Sequence, residues 1–188
     1  MAEFTLTAAP PLAGHDETFG DTRLHAPQDF AIVSVALPLG GETAAKKAIK
    51  TAYGVELPAP GKSVVAKGKE RILRLAPDLA FVFFTHAGAD AETIVADKLK
   101  DKAYLTDQTD VWTALELSGP MARAALERIC PLDLYTDAFA LNDGARTVME
   151  HLGTIILRTD DDTYLLLSAS SSADSFLHAI ETSIKNVI

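Results

Sequence analysis

"ILRLAPDLAFVFF" at residues 72–84 and "ILRTDDDTYLLLS" at residues 156–168 share one layout at an offset of 84 residues. In each, a short apolar run with arginine at its third position meets turn-forming residues, and a second apolar run follows. The turn residues are Pro77 and Asp78 in one copy and Asp160, Asp161 and Asp162 in the other. Two strand-prone runs flanking such a turn predict a β-hairpin. The surroundings recur as well. "FAIVSVAL" from Phe30 and "VWTALEL" from Val111 each predict a strand. Helices follow them in "ETAAKKAIKTAYG" from Glu42, which Gly54 would stop, and in "PMARAALERI" from Pro120. After the hairpins come two further helices, "DAETIVADKLK" with Asp90 as its expected cap and Ile94, Val95 and Leu99 facing inward, and "SSADSFLHAIETSIKNVI". In the last, Phe176, Leu177, Ile180, Ile184 and Val187 recur at the spacing of one buried face. A strand, helix, hairpin, helix unit thus occurs twice. Each unit has an apolar helix face and an apolar sheet face to bury, so two units pair economically into one α+β body.

The expected organisation is a duplicated α+β domain at residues 29–188, with repeat one at about 30–102 and repeat two at about 108–188. Residues 1–28, punctuated by Pro10, Pro11, Gly14, Gly20 and Pro27, show no sustained period and read as an extended arm. Its apolar side chains Phe4, Leu6, Leu12, Phe19 and Leu24 would be poorly used in a solubilising tail. The arm is therefore expected to lie against a neighbouring subunit, or to fold back on its own domain without one. On that reading, deleting residues 1–27 weakens assembly and leaves the body folded.

A chain of 188 residues buries roughly 70% of its unfolded surface on folding, enough for a real core. Its 26 acidic residues outnumber 17 basic ones, giving a net charge of -9. That balance lacks the basic footprint that nucleic acid or an anionic lipid surface requires. Cys130 has no second cysteine to pair with, which fits a reducing compartment. The longest apolar run, "LAFVFF", is too short to span a bilayer, and the first twenty residues carry neither a basic leader nor an apolar stretch. The expectation is a cytoplasmic protein that touches neither nucleic acid nor membrane.

Local motifs offer little chemistry. Cys130 stands at the negative C-terminal end of its helix, not at the helix N-terminus or beside the base or cations a reactive thiol needs, so a buried structural thiol is expected. The histidines His15, His25, His86, His151 and His178 show no H-x-x-x-H or H-E-x-x-H spacing. The three aspartates at 160–162 lack the alternation of a calcium loop and read as a solvated turn. "GKS" at residues 61–63 ends like a phosphate loop, but Glu56 occupies the place of that loop's first glycine and no helix follows. No G-x-G-x-x-G occurs. These observations predict no catalytic, cofactor-binding or metal residue in this chain, and no cofactor bound by the isolated chain.

One stretch reads differently. "LSGPMARAALERICPLDL" at residues 117–134 has a Ser-Gly-Pro start, where Pro120 suits a first helical turn and Ser118 or Gly119 would cap it. Arg123 and Glu127 stand four apart on the exposed face, and Pro131 stops the helix after Cys130. With Phe139, Arg146 and Thr147 behind it, this stretch resembles the gamma subunit of heterotetrameric sarcosine oxidase. "ELPAPGKS" from Glu56 and "LRLAPDLAFVF" from Leu73 are similar to earlier elements of that family. The resemblance covers about residues 55–184. It rests chiefly on Gly119, Pro120, Ala122 and Arg123, then Cys130, Pro131, Asp133 and Leu134, then Arg146 and Thr147, all expected to be structural. The closing helix lacks the tryptophan that the family pattern places near its end.

The resemblance implies a fold like the folate-binding part of glycine-cleavage aminomethyltransferase. It implies membership of an oxidoreductase assembly that demethylates sarcosine to glycine with hydrogen peroxide and passes the one-carbon unit to tetrahydrofolate. FAD, FMN, NAD and the catalytic groups would belong to the alpha and beta subunits and zinc to delta, leaving gamma without a cofactor. The alternative is a free-standing folate-dependent one-carbon transfer or folate-binding protein of the same fold, for which Asp133 or Asp107 would be the carboxylate candidates.

Overall fold

The computed structural model of the chain describes residues 9–188, so Phe4 and Leu6 lie outside the described residues. It begins with two four-residue strands, β1 (Asp16–Phe19) and β2 (Thr22–His25). The first unit follows as β3 (Phe30–Ala36), α1 (Glu42–Tyr53), β4 (Lys62–Val65), β5 (Arg71–Ala76), β6 (Leu79–Thr85) and α2 (Ala91–Leu99). Then β7 (Tyr104–Asp107) leads to the second unit: β8 (Trp112–Ser118), α3 (Ala122–Glu127), β9 (Gly144–Met149), β10 (Leu152–Asp160), β11 (Thr163–Ala169) and α4 (Ala173–Lys185). Each unit thus holds a three-stranded meander where the sequence predicts a hairpin. The additional strands, β4 and β9, are edge strands, and their mixture of lysine, serine, arginine and threonine with apolar residues gives no clear period.

The strands form two antiparallel sheets, ordered β1-β2-β8-β11-β10-β9 and β4-β5-β6-β3-β7. In each unit the opening strand pairs with the last strand of its own meander, β3 with β6 and β8 with β11. The neighbour on the other side is exchanged. β7 precedes the second unit yet pairs with β3, with Leu105 opposite Val35; β2 precedes the first unit yet pairs with β8, with Leu24 opposite Leu117. Each unit therefore lends the strand before it to the other unit's sheet. Residues 104–107 fall between the two expected repeats for this reason.

The same exchange corrects the reading of the described part of residues 1–28 as an extended arm: residues 16–25 fold back on the domain as a hairpin. Leu24 is fully buried, and Leu12, Phe19 and Ala26 nearly so, in one core with Leu115, Leu117 and Leu126. "DETF" and "TRLH" are too short and too charged to announce strands, and the partner that stabilises them lies far along the chain.

Three apolar layers hold the body together. Ile32, Leu73, Phe81 and Phe83 of one sheet pack on Ile155, Leu157, Leu165 and Leu167 of the other. Val33, Val35, Ile72 and Val82 face outward under Ala45, Ile49 and Tyr53 of α1 and Val95 and Leu99 of α2. On the far side Leu115, Ile156, Tyr164 and Leu166 lie under Ala122 and Leu126 of α3 and Phe176, Ile180 and Ile184 of α4. Successive strand residues feed different layers, which is why the central strands read as almost continuous apolar runs. Full burial of each Phe, Leu or Ile contributes about 1.5–3 kcal/mol. Among the described residues, no helix is long and apolar enough to cross a membrane.

The arginine shared by the two opening hairpins has a matching job in each. The β10–β11 ladder shifts register between Arg158 and Asp160, and the β5–β6 ladder between Arg74 and Ala76. Arg158, 5% exposed, donates from Nε (3.2 Å) and Nη2 (2.7 Å) to the Asp161 carbonyl and from Nη1 to that of Phe139 at 3.0 Å. Arg74 donates to the carbonyls of Pro77, Ala76 and Pro58. A guanidinium drawn into the fold needs such partners, and here it pins a turn to the loop ahead of the meander. Helix ends follow local rules less uniformly. Gly54 closes α1 at φ 72°, its N–H on the Lys50 carbonyl at 2.9 Å. Asp90 occupies the cap position of α2 but does not cap with its side chain, because its Oδ1 lies 2.6 Å from His86 Nε2. That contact holds the Asp90 carboxyl below its usual pKa. On α2, Val95 and Leu99 are buried and Ile94 only partly.

Candidate functional site

Residues 117–134 form a junction of three parts of the fold. Ser118 ends β8, paired with Thr163 on one side and Arg23 on the other. Gly119 follows at φ 116°, where a Cβ would sit 2.3 Å from the Asp21 carbonyl oxygen and 2.8 Å from Thr22 Cα. Only glycine lets the β1–β2 turn come so close. The Gly119 N–H donates to the Asp162 carbonyl in the β10–β11 turn, and its own carbonyl accepts from Ala122, both at 3.0 Å.

The helix entrance differs from the one the sequence predicts. Pro120 lies in the turn ahead of α3, and the cap position is Met121, so neither Ser118 nor Gly119 caps it. The Met121 N–H instead donates to Thr22 Oγ1 at 3.3 Å, and Thr22 is fully buried. The Ser-Gly-Pro turn thus receives the N-terminal hairpin, and its hydrogen-bond partner comes from a residue that no local signal could identify.

On α3, Ala122, Ala125 and Leu126 are buried. Arg123 Nη1 reaches Glu127 Oε1 at 3.1 Å, and its guanidinium lies 5.1 Å from the Tyr135 ring centroid. The helix ends at Glu127, short of the stop expected after Cys130, and Cys130 lies beyond it with its N–H on the Leu126 carbonyl at 2.8 Å. The buried thiol lies 3.8 Å from Thr147 Oγ1. Asp133 is exposed, with Oδ1 accepting from the Tyr135 N–H at 3.0 Å, while Leu134 is fully buried. Asp107 is likewise exposed and accepts from the Thr109 N–H at 2.8 Å. Both aspartates therefore hold local turns.

Arg146 and Thr147 are neighbours on β9 and point to opposite faces. Thr147 meets Cys130 on the helix side. Arg146 lies over the edge of the intersheet core, its guanidinium 6.0 Å from the ring centroids of both Phe81 and Trp112. Those two rings meet edge-on at 6.0 Å and 64°. Arg146 therefore bridges the first unit's β6 and the second unit's β8, with cation–π attraction of about 0.5–1 kcal/mol per exposed contact. Sequence could not show this, because the three residues come from three separate strands.

Beside Arg146 and Trp112 is a cleft of about 240 Å3, with Thr154, Ser168 and Ser172 in its wall. Thr154 Oγ1 donates to the Leu152 carbonyl and Ser168 Oγ to that of Gly153, both at 3.1 Å. Its lining carries one charged side chain, Arg146, and neither carboxylate nor thiol. At that volume the cleft is smaller than the roughly 300–1,000 Å3 typical of small-molecule pockets. "GKS" lies elsewhere, at a seam between the sheets. Gly61 O accepts from the Gly144 N–H at 2.9 Å, the Ser63 N–H donates to Asn142 O at 2.7 Å, and Lys62 pairs with Asp143. Asp160, Asp161 and Asp162 are exposed in their turn.

Comparison with known proteins places this arrangement. Residues 40–184 match the family model described as sarcosine oxidase, gamma subunit family. The sarcosine oxidase subunit gamma of Corynebacterium sp. (strain P-1) is 31% identical over 134 residues, 70% of this chain and 65% of that relative. The subunit gamma of Arthrobacter sp. is 28% identical over 126 residues, 66% of this chain and 62% of the relative. The chain thus spans a little under two thirds of the length of these relatives. In fold it is similar to a chain of heterotetrameric sarcosine oxidase from Corynebacterium sp. U-96, solved in complex with pyrrole 2-carboxylate. That superposition has a TM-score of 0.77 at 20% identity and covers 88% of this chain and 84% of that one. Aminomethyltransferase T of the glycine cleavage system from Bartonella henselae superimposes with a TM-score of 0.64 at 17% identity, over 85% of this chain and 45% of that one. The expected α+β fold is the one these structures share, and the matched range takes in the Ser-Gly-Pro junction, the Cys130–Thr147 contact and the Arg146 bridge. The chain belongs to the sarcosine oxidase gamma subunit family.

Proposed function

We propose that this chain is a non-catalytic gamma subunit of a heterotetrameric sarcosine oxidase, an oxidoreductase whose other subunits are alpha, beta and delta. The assembly would oxidatively demethylate sarcosine to glycine, yielding hydrogen peroxide, and would pass the one-carbon unit to tetrahydrofolate in the cytoplasm. The observation that carries this reading is the family match over residues 40–184. Following the family resemblance, we assign FAD, FMN and NAD to the alpha and beta subunits and the zinc of the assembly to delta. A free-standing folate-dependent protein is the weaker reading, since Asp133 and Asp107, its candidate carboxylates, are exposed turn residues.

A structural subunit contributes through the surface it buries. Leu39 is fully exposed in the loop after β3, and Tyr104 is 70% exposed where β7 pairs with Ala36, at the same end of that strand pair. Such side chains gain from burial by a partner, and a stable interface would bury more than about 1,000 Å2 in total. Co-expression with alpha, beta and delta, followed by purification through a tag on this chain, is expected to recover all four. Elution of this chain alone on gel filtration, with the other three fully active without it, would reject the subunit reading.

The Cys130 site supplies a second check. Cys130→Ser is expected to lower stability by about 1 kcal/mol and to leave turnover of the assembled enzyme nearly unchanged. Leu126→Ala, by contrast, is expected to cost about 2–5 kcal/mol of folding stability. A Cys130→Ser complex that assembles normally yet turns over slower by orders of magnitude, as loss of a nucleophile would produce, would show that the thiol acts in the reaction.

A further inference from the structure

We propose that His15, Glu17 and Glu181 form a binding site for a divalent transition-metal ion of the zinc class, which staples the N-terminal hairpin to α4. The site lies apart from the Arg146 cleft and is separate from the zinc assigned above to delta. His15 precedes β1 and Glu17 lies within it. In extended backbone, residues two apart share a face, so both side chains point the same way as Phe19, which is buried in the core shared with α4. Glu181 comes from α4 near the other end of the chain, so no local spacing reveals the cluster.

One potential ligand atom from each of the three residues lies within 4.8 Å of the other two. His15 Nε2 is sealed from solvent, has no hydrogen-bond partner among the described residues, and stands 3.8 Å from Glu181 Oε1. That gap is too long for a hydrogen bond and leaves a buried ring nitrogen unsatisfied, a costly arrangement without a ligand. An ion with bonds of about 2.0–2.1 Å holds tetrahedral ligand atoms roughly 3.3 Å apart, so small side-chain movements close the site around it. Glu17 is exposed. Lys185 Nζ holds the other Glu181 oxygen, Oε2, at 3.1 Å, which directs Oε1 toward His15. The two carboxylates outweigh that one ammonium. One imidazole with two carboxylates suits zinc, and the nitrogen ligand disfavours magnesium and calcium, which prefer oxygen alone. Water would complete the coordination.

The docking that the ion would reinforce is already visible. Lys185 lies over the Phe19 ring at 5.3 Å, and a Cβ on Gly20 would touch Ile188, so β1 runs along the last two turns of α4 and the residues beyond. The test uses the full-length chain stripped with a chelator and titrated with Zn2+ near neutral pH. One equivalent is expected to bind and to raise the melting temperature, with no rise from Mg2+ at the same concentration. Co2+ in place of Zn2+ is expected to give visible d–d absorption. His15→Gln, Glu17→Gln and Glu181→Gln, each confirmed folded by circular dichroism, are expected to weaken Zn2+ binding more than about tenfold, a loss seen even for residues behind a metal ligand. Absence of Zn2+ binding, an equal response to Mg2+, or binding that survives His15→Gln would overturn the proposal. None of those outcomes bears on membership of the assembly.

Discussion

Replacing Gly119 by alanine is expected to lower the melting temperature by roughly 10 °C or more, and Gly153→Ala to leave it almost unchanged. At Gly119 two costs coincide. The backbone holds φ 116°, outside the region an L side chain adopts comfortably, and the new methyl group would lie 2.3 Å from the Asp21 carbonyl oxygen. Backbone strain of this kind costs about 1–3 kcal/mol, and forcing extra volume into a packed site costs about 1–3 kcal/mol more. The neighbouring atoms are backbone, so no flexible side chain can swing aside. Relief must come from moving the β1–β2 turn, which would also separate Thr22 Oγ1 from the Met121 N–H. At Gly153 a Cβ meets nothing within 4 Å, so alanine there tests whether any glycine in this sheet is equally sensitive. Thermal unfolding of both variants by circular dichroism decides the matter. A Gly119→Ala protein melting within two or three degrees of the parent would show that the close approach is not required.

The contrast between those glycines marks what could be read from sequence. The central strands, the two paired hairpins and the apolar faces of α1 and α4 were legible because their burial patterns are local and long enough to show a period. The duplication was legible because both copies of the hairpin keep an arginine, and its role emerges only with the carbonyls of Pro77 and Asp161 in place. The four-residue strands β1, β2, β4 and β7 left no such trace. Each lies at or next to a sheet edge, each mixes charged or polar residues with apolar ones, and β2 and β7 find their partners in the opposite unit. The candidate site was legible only as motifs. The sequence marks Gly119, Cys130 and Arg146 as unusual, but their partners Thr22, Thr147, Phe81 and Trp112 arrive through tertiary contacts.

Exchange of strands between the units makes the second large prediction. Removing residues 1–27 is expected to abolish cooperative folding of the remaining chain, not merely to weaken its assembly. The deletion takes away Leu12, Phe19 and Leu24, all buried in the core beneath α3 and α4. Three such side chains contribute about 5–9 kcal/mol by burial, against a total stability of about 5–15 kcal/mol for an ordinary domain. Freeing the hairpin's backbone returns some entropy, but further losses act in the opposite direction. β8 would lose its pairing with residues 23–25 and present an open edge, and the Met121 N–H would lose Thr22. Leu24→Ala isolates one part of this and is expected to cost about 2–5 kcal/mol while retaining a cooperative transition. Both proteins can be compared with the parent by calorimetry and gel filtration, alone and co-expressed with alpha, beta and delta. A truncated chain that melts cooperatively near the parent temperature would mean that β3 to α4 is self-sufficient, and that β2 is an accessory to the fold instead of the counterpart of β7. Rescue of the truncated chain only in the presence of the other subunits would place the missing stabilisation in the interface. The exchanged pairing argues for collapse in isolation, because the first unit's sheet is completed by β7 from within the remaining chain, whereas the second unit's sheet has no other strand to take the place of β2.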